Sequence, residues 1–224
     1  MPTADSPSVS EPHRYYPICL DLRGRRCMVV SGGAVAVRKA HSLLECGAQV
    51  TVISPDLLPA LADSARLGSI THLPRPYQRG DLESAWLCIA ATDDPKTNEA
   101  VYAEATERGL LVNVVDDPDR CNFIVPAVVR RGSVAVAVST GGAGPALAKR
   151  LRQELEQSIG PEYGELAELM AELRQEVKMW FPSPSDRQAA WQRVLDSGAL
   201  ELLRQGQKDA ARERARSCIW SQSD

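Results

Sequence analysis

The chain has 224 residues, a hydrophobic content of 44% and a formal net charge of −3. This length suits one large domain or two small ones, and the composition allows a sizeable core. The slight acidic excess argues against a nucleic-acid-binding protein, which needs a strong basic excess. No apolar run reaches the length of a membrane span, and the first residues lack the apolar segment of a secretory signal.

The six cysteines are scattered along the chain and form no C-x-x-C pair. Several of them lie in apolar runs, where a free cysteine behaves as a small hydrophobic residue. Reduced thiols in a cytoplasmic protein are therefore expected, rather than disulfides or a zinc site. The three histidines lie far apart and do not have the spacing of metal ligands.

Along the chain, short apolar runs alternate with segments of helical periodicity. Residues 1–13 are polar and rich in serine and proline, so a flexible tail is expected there. Strands are then predicted at Cys27–Val30, Ala48–Ile53, Ser69–Leu73, Trp86–Ala91 and Leu110–Val115. Helices are predicted between them at Val35–Glu45, Leu57–Arg66 and Pro95–Arg108, with glycines at their ends. This alternation predicts an α/β fold with a parallel sheet built from βαβ units.

The pattern changes after Phe123. A strand is predicted at Ser133–Ser139, followed by a glycine-rich loop and a helix at Pro145–Gln157. The remainder is expected to be helical, with an apolar stripe at Leu166, Leu169, Met170, Leu173 and Val177. The charged segment Gln207–Arg216 is expected to be a solvated helix face or a frayed end.

The strongest functional signal is the segment Met28–Lys39, where an apolar run stops at Gly32 and Gly33 and a helical run begins. Glycines at such a junction allow a ligand to approach the backbone, and the N–H groups of the first helical turn attract a phosphate. Two interpretations remain open, a dinucleotide site that includes Ala34 and Val35 or a purely structural turn. Ser31 stands where the fingerprint has its first glycine, and its Cβ resists a positive φ.

Polar residues follow two further strands of the predicted sheet. Ser54, Pro55 and Asp56 follow the second strand, where an acidic residue can bond the adenosine ribose and favour NAD over NADP. Asp116 follows the fifth strand, where a carboxylate could accept a proton or lie near a metal, or could simply form a turn before Pro118. Because the carboxyl ends of parallel strands meet at one edge of a sheet, these loops could line one crevice.

These residues, taken together, resemble the precorrin-2 dehydrogenase/sirohydrochlorin ferrochelatase family, the module at the N-terminus of siroheme synthases. The resemblance covers roughly Tyr15 to Ser217, and because no methyltransferase region follows, the stand-alone form of the module is expected. The matching segments are Tyr16-Pro17, Gly32-Gly33-x-Val35-Ala36-x-Arg38-Lys39, Gly47-Ala48-x-Val50-Thr51-Val52, Ala90-Ala91-Thr92-Asp93-Asp94, Asn113-Val114-Val115-Asp116, Phe123-x-x-Pro126-Ala127 and Ser139-Thr140-Gly141-Gly142-x-x-Pro145.

The resemblance implies a Rossmann-like fold followed by a small dimerisation segment and a helical domain. The expected boundaries are a tail at 1–13, an NAD-binding domain at 14–125, a dimerisation segment at 126–158 and a helical domain at 159–224. It also implies a homodimer in which NAD accepts a hydride from precorrin-2, a tetrapyrrole, to give sirohydrochlorin. Many members also assist insertion of Fe²⁺ to give siroheme. The alternatives are an NAD-binding regulatory module without catalysis, or a chelatase only.

The resemblance also implies site residues. Asp116 matches the family's essential aspartate, with no preformed metal site but a possible role near the metal during insertion. Cofactor contacts are expected at Gly32, Gly33, Ala34, Val35, Ser54, Pro55, Asp56 and Thr92. Contacts to the substrate, whose carboxylates need cations, are expected at Arg38 and Lys39, which lie near the glycine turn, and at Asn113, Gly141 and Gly142. Two residues depart from the family pattern: Ser31 replaces a glycine, and is expected to weaken the pyrophosphate cradle or keep a negative φ, and Gly144 replaces a serine.

Overall fold

The computed structural model describes residues 14–220, so the tail expected at 1–13 lies outside the described residues. The chain divides into two compact units between Val125 and Pro126, and each is described by itself. The domain limits given above remain predictions. Among the described residues, no helix is long and apolar enough to cross a membrane.

The first unit contains a five-stranded parallel sheet with the strand order β3-β2-β1-β4-β5. Its strands are β1 Arg26–Val30, β2 Gln49–Ile53, β3 Ile70–Leu73, β4 Leu87–Ala90 and β5 Leu111–Val114. Its helices are α1 Ala34–Glu45, α2 Pro59–Arg66 and α3 Pro95–Glu107. The sheet extends from β1 through β2 to β3 on one side, and from β1 through β4 to β5 on the other. The predicted α/β class is confirmed, and element ends differ from the predicted ones by one or two residues.

Both faces of the sheet are covered by helices. Val29 and Val52 point to one face, where they pack with Ala36 and Leu43 of α1 and Leu61 of α2. On the other face, strand residues of β1, β4 and β5 pack with α3 and the loop before β4, namely Met28, Val30, Cys88, Ala90, Val112, Val101, Ala105 and Leu82. Burial on both faces explains why the strands have continuous apolar sequences rather than alternating ones.

The local sequence fixes where α3 begins. The side chain of Asp94 accepts hydrogen bonds from the backbone N–H groups of Lys96 and Thr97, at 3.2 and 3.1 Å, and Pro95 takes the first helical position. A capping carboxylate satisfies N–H groups that have no partner within the helix. The start of α1 is different, because Gly33 precedes it and offers no side-chain cap.

The second unit begins with an antiparallel hairpin, β6 Ala127–Arg131 and β7 Val134–Val138, and continues as helices. The helices are α4 Pro145–Ser158, α5 Glu162–Trp180, α6 Pro184–Asp196, α7 Ala199–Arg204 and α8 Lys208–Trp220. β6 is absent from the sequence prediction because two valines between Pro126 and two arginines carry little periodicity. The hairpin and α5 approach closely at Gly164, where a Cβ would lie 2.6 Å from the carbonyl oxygen of Arg131.

Helices α5 to α8 share one core, and α8 belongs to it. The predicted stripe is confirmed, because Leu166, Leu169, Leu173 and Val177 are buried. The expectation of a frayed end is wrong. Ala211, Ala215 and Ile219 of α8 are almost fully buried in the same core, while the charged side chains of that helix form its outer face.

Candidate functional site

The candidate site lies at the carboxyl ends of the strands in the first unit. The strand order changes direction between β1 and β4, and ligands of doubly wound sheets bind in the crevice at this point. Gly32 and Gly33 follow β1, and Thr92 follows β4, so they flank the crevice. Ser54–Asp56 and Asp116 follow the neighbouring strands β2 and β5.

Gly32 is glycine because the protein itself occupies the space of a side chain. A Cβ on Gly32 would lie 1.8 Å from the carbonyl oxygen of Asp56 and 2.9 Å from Oγ of Ser54. The carbonyl oxygen of Gly32 also accepts a hydrogen bond from the N–H of Leu58 at 3.0 Å. Gly32 therefore joins the loop after β1 to the loop after β2.

Gly33 is different, because the protein does not need its small size. A Cβ there would meet only Oγ of Ser31, at an ordinary 3.6 Å, and its φ of −82° suits any residue. The space that a Cβ would fill lies at the start of α1, which has no side-chain cap and no acidic residue in its first turn. The helix N-terminus attracts an anion, so the open space at Gly33 fits the pyrophosphate of a dinucleotide.

Ser31 adopts a conformation that favours glycine, with φ +148°. The expectation of a negative φ is therefore wrong. Oγ of Ser31 accepts a hydrogen bond from the N–H of Gly33 at 3.2 Å, and the N–H of Ser31 donates to the carbonyl of Ile53 at 3.1 Å. These contacts with β2 and with the glycine turn hold the residue in place despite its Cβ.

The loop after β2 is tied down by its own side chains. Oγ of Ser54 donates to the carbonyl oxygen of Asp56 at 2.7 Å, and Nε2 of His72 donates to the carbonyl oxygen of Ser54 at 2.9 Å. Pro55 and Asp56 are exposed beside Gly32. The structure therefore brings these predicted cofactor residues together with the glycine turn, and their contact with a cofactor remains a prediction.

Thr92 is part of the start of α3. Its Oγ1 donates to Oδ1 of Asn98 at 2.9 Å and accepts from the N–H of Asp94 at 3.2 Å, while Nδ2 of Asn98 donates to its carbonyl oxygen at 2.9 Å. The hydroxyl group therefore has partners within the protein. A cofactor contact at Thr92 stays a prediction.

Asp116 lies at the tip of a tight turn after β5 and is exposed. The carbonyl oxygen of Val114 accepts from the N–H of Asp117 at 3.2 Å, and Asp116, the third residue of this turn, has φ +62°. Glycine or asparagine is usual in such a position, although aspartate tolerates it better than most residues. The chain thus carries a carboxylate where conformational preference favours glycine, a pattern found at functional sites.

Lys39 is the predicted substrate residue that the structure brings near Asp116. Its side chain is half-buried on α1, and burial, followed by the charge of Arg38, lowers the pKa of its ammonium group. The negative charge of Asp116 acts in the opposite direction, which means that Asp116 lies within electrostatic reach of Lys39. Arg38 itself is exposed.

Asn113 is buried on β5, and both partners of its side-chain nitrogen lie within the first unit. Nδ2 donates to the carbonyl oxygen of Phe123 at 3.0 Å and to Sγ of Cys121 at 3.3 Å. A substrate contact at Asn113 stays a prediction. Cys121 carries no signal in the sequence, yet its thiol shares its single proton between the carbonyl oxygens of Val114 and Asp117, at 3.2 and 3.1 Å.

A cavity of about 660 Å³ lies beside the Asp116 turn, between α3 and the end of β5. Its floor is apolar and includes Ala103 and Val115, and its rim holds Arg120 between Asp117 and Glu99. Both carboxylates raise the pKa of the Arg120 guanidinium, with Asp117 contributing the largest effect through its hydrogen bond. Asp117 is therefore engaged in an ion pair, whereas its neighbour Asp116 is presented at the surface.

Gly141 and Gly142 lie in the second unit, in the loop between β7 and α4, with φ +63° and +90°. The N–H of Gly141 donates to Oγ of Ser139, and the N–H of Gly144 donates to Oγ1 of Thr140. A Cβ added at Gly142 would have no neighbouring atom within 4 Å among the described residues. Their contact with the substrate stays a prediction, as does the effect of glycine at position 144.

Within residues 14–220, no group of three or more His, Cys, Asp or Glu side chains is arranged to hold a metal ion. None of the six cysteines, all of which lie within the described residues, is in a disulfide bond.

Three family models match consecutive parts of the chain. A putative NAD(P)-binding model matches residues 18–127, a model of the central region of sirohaem biosynthesis proteins matches residues 131–158, and a sirohaem synthase dimerisation region matches residues 162–218. The first match covers the unit that contains the glycine turn and Asp116. The dimerisation match lies after residues 126–158, the segment expected above to form the dimer, and that expectation stays a prediction.

The proteins similar to this chain include siroheme synthases and a precorrin-2 dehydrogenase. The chain is 43% identical over 198 residues to the siroheme synthase of Chromobacterium violaceum and 46% identical over 196 residues to that of Methylobacillus flagellatus. Each alignment covers 88% of this chain and 42% of the relative, so the chain spans less than half the length of these proteins. Among solved structures, the chain is similar to SirC, a precorrin-2 dehydrogenase, with a TM-score of 0.75 and 25% identity, over 91% of this chain and 100% of that one.

Proposed function

We infer the function from the family. The chain belongs to the precorrin-2 dehydrogenase family, which forms the N-terminal part of siroheme synthases. We propose that it oxidises precorrin-2 to sirohydrochlorin with NAD. The observation that carries NAD binding is the open space at Gly33 before the uncapped start of α1. The exposed carboxylate of Asp116, on a left-handed turn at the same edge of the sheet, supports the chemistry.

In this proposal the loops after β1 and β2 bind the cofactor. The N–H groups of the first turn of α1, at Ala34 and Val35, hold the pyrophosphate, and Gly33 leaves room for it. Asp56 bonds the adenosine ribose, which favours NAD over NADP. When bound, NAD supplies the acceptor for the hydride that leaves the substrate.

The oxidation removes a hydride and a proton from precorrin-2. The carboxylate of Asp116 accepts the proton, because it is exposed beside the crevice while Asp117 is paired with Arg120. Lys39 lies within electrostatic reach of Asp116. Arg38 binds a carboxylate of the tetrapyrrole from the exposed face of α1.

Three finer assignments belong to this proposal. The protein is a homodimer, which is consistent with the match to a sirohaem synthase dimerisation region. Ferrous ion is a second substrate, inserted into sirohydrochlorin with Asp116 as the nearby carboxylate that accepts pyrrole protons. The protein acts in the cytoplasm, as its scattered cysteines without disulfide bonds suggest.

The test is an assay of NADH absorbance after precorrin-2 and NAD are mixed with the protein. Asp116→Asn is the informative variant, because asparagine tolerates the left-handed conformation while lacking the base. We expect turnover to fall by about 10²-fold or more, with the dissociation constant for NAD and the melting temperature unchanged. NAD binding without any turnover by the unmodified protein would instead indicate a regulatory module.

Iron insertion is tested separately, by supplying sirohydrochlorin and Fe²⁺ with and without NAD. Siroheme formation that does not need NAD supports the second activity. Siroheme formation at the rate of the protein-free reaction would remove it from the proposal and leave the oxidation standing.

A further inference from the structure

The segment after the Asp116 turn runs back along the open edge of β5. Asn113 and Cys121 form an isolated antiparallel bridge, and the N–H of Asn122 donates to the carbonyl oxygen of Val112 at 3.1 Å. Two asparagine side chains fasten this segment, one near the turn and one farther away. The loop that carries Asp116 is therefore closed at its base.

The fastening near the turn consists of hydrogen bonds to residues on both sides of Asp116. Nδ2 of Asn113 donates hydrogen bonds to the carbonyl oxygen of Phe123 and to Sγ of Cys121, at 3.0 and 3.3 Å. The Cys121 thiol in turn shares its single proton between the carbonyl oxygens of Val114 and Asp117, which lie on either side of Asp116, at 3.2 and 3.1 Å. We call these contacts of Asn113 and Cys121 the clasp.

The far fastening is formed by Asn122. Its Oδ1 accepts from the N–H of Val112 at 2.8 Å, and its Nδ2 donates to the carbonyl oxygen of Leu110 at 2.7 Å. It joins the same two segments with two side-chain hydrogen bonds, as Asn113 does, but it does not contact the Asp116 turn. It is therefore a natural control.

The clasp needs a thiol that carries its proton. Burial raises the pKa of the Cys121 thiol, the nearby negative charge of Asp117 acts in the same direction, and the positive charge of Lys39 acts against them. The thiol therefore stays protonated at neutral pH and can donate.

We propose that Asn113 and Cys121 are positioning residues for Asp116, which hold its turn in the left-handed conformation that presents the carboxylate to the substrate. This inference rests on the proposed function, since it assumes that Asp116 accepts a proton. It assigns the buried Asn113 a role through Asp116 rather than a contact with the substrate.

The physical reason is that the clasp adds contacts to the residues on both sides of Asp116, beside the hydrogen bond that closes the turn and the ion pair of Asp117 with Arg120. Asp116 has an unfavourable φ of +62° and is exposed, and the sheet ends at Val114. A shift of about 1 Å in a reacting group can reduce a rate by about 10²-fold. A loosened turn would therefore lower catalysis without disturbing the glycine turn at Gly33 that binds the cofactor.

The test compares Cys121→Ala, Cys121→Ser and Asn113→Ala with the control Asn122→Ala in the full chain. Three quantities are measured: the kcat and KM of precorrin-2 oxidation, the dissociation constant for NAD by calorimetry without substrate, and amide hydrogen exchange of Asp117 by NMR. Hydrogen exchange does not depend on activity, so it tests the clasp even if the protein does not oxidise precorrin-2.

We expect Cys121→Ala and Asn113→Ala to lower kcat by about 10- to 100-fold, to leave the NAD dissociation constant within twofold, and to speed exchange at Asp117. Cys121→Ser retains a donor and should restore most of kcat, and Asn122→Ala should leave kcat and the exchange at Asp117 within twofold. Unchanged kcat and exchange in Cys121→Ala, or an equal loss in Asn122→Ala, would overturn the inference. Faster exchange together with an inactive unmodified protein would overturn the proposed function but support the clasp.

Discussion

Substitutions of the two adjacent glycines should separate a residue that the fold needs from one that a ligand needs. In Gly32→Ala, the new Cβ would lie 1.8 Å from a backbone oxygen of Asp56, about 1.6 Å short of ordinary contact at 3.4 Å. Because the obstacle is backbone, the loop after β2 must move. Overpacking of this kind costs about 3 kcal/mol, which corresponds to a fall in melting temperature of about 6–12 °C for a chain of this size.

Gly33→Ala places its Cβ 3.6 Å from Oγ of Ser31, an ordinary contact, and requires no change in φ. The only expected cost to the fold is the weaker helix start that alanine gives, about 0.5 kcal/mol. The added methyl group occupies the space assigned to the pyrophosphate and should weaken NAD binding about tenfold or more, because the interaction with the helix N-terminus is worth about 1–2 kcal/mol.

The two variants are compared by thermal unfolding without ligand and by calorimetric titration with NAD. Gly33→Ala should have nearly the melting temperature of the unmodified protein and a larger dissociation constant for NAD. Gly32→Ala should melt well below both. NAD affinity that survives in Gly33→Ala would show that the cofactor does not pass over this residue, and a fully stable Gly32→Ala would refute the steric argument.

Three further predictions concern stability. Ser31→Gly should be about 1 kcal/mol more stable than Ser31→Ala, because only glycine relieves the φ of +148°, and it should bind NAD as well as or better than the unmodified protein; equal melting temperatures would mean that Ser31 is not strained. Glu104→Gln should cost about 2 kcal/mol in denaturant unfolding, because the buried carboxylate accepts from Tyr77 and other donors, whereas the exposed Glu107→Gln should change little. Although burial alone would raise the pKa of Glu104, its hydrogen bonds lower it below 4.5, so its contribution is present above about pH 4.5 and is lost as pH falls further; acid unfolding should therefore be less steep in Glu104→Gln. Ile219→Ala should cost about 3 kcal/mol if α8 is part of the core, and an unchanged melting temperature would mean that this helix is loose.

The sheet and the glycine turn can be predicted because their signals are local. Five apolar runs separated by helical segments require a parallel sheet covered on both faces, and this follows from periodicity alone. The carboxyl ends of these runs then mark the crevice without further information. For this reason Gly32, Ser54 and Asp116 stand out from the amino-acid order alone.

What cannot be predicted depends on contacts between distant segments. The φ of Ser31 is imposed by its neighbours in β2 and in the glycine turn, against its own preference. The inward direction of Asn113 follows from a return segment eight to ten residues later, which has no periodic signal. The burial of α8 is hard to predict because its three small or apolar core residues, four positions apart, are surrounded by charged ones.

The outer face of α8 has a consequence of its own. Lys208, Arg212 and Arg216 pair with Glu165, Glu172 and Glu176 of α5, and both series ascend together, so the two helices run in the same direction. The contact between Trp180 and Trp220 at their last residues agrees with this alignment. If one helix moved along the other by one turn, the cation at one end would lose its carboxylate partner. These three ion pairs therefore oppose such a shift. Each ion pair contributes at most about 1 kcal/mol and is screened by dissolved ions. Concentrated salt should therefore weaken the charged contact between α5 and α8 but not the apolar packing beneath it.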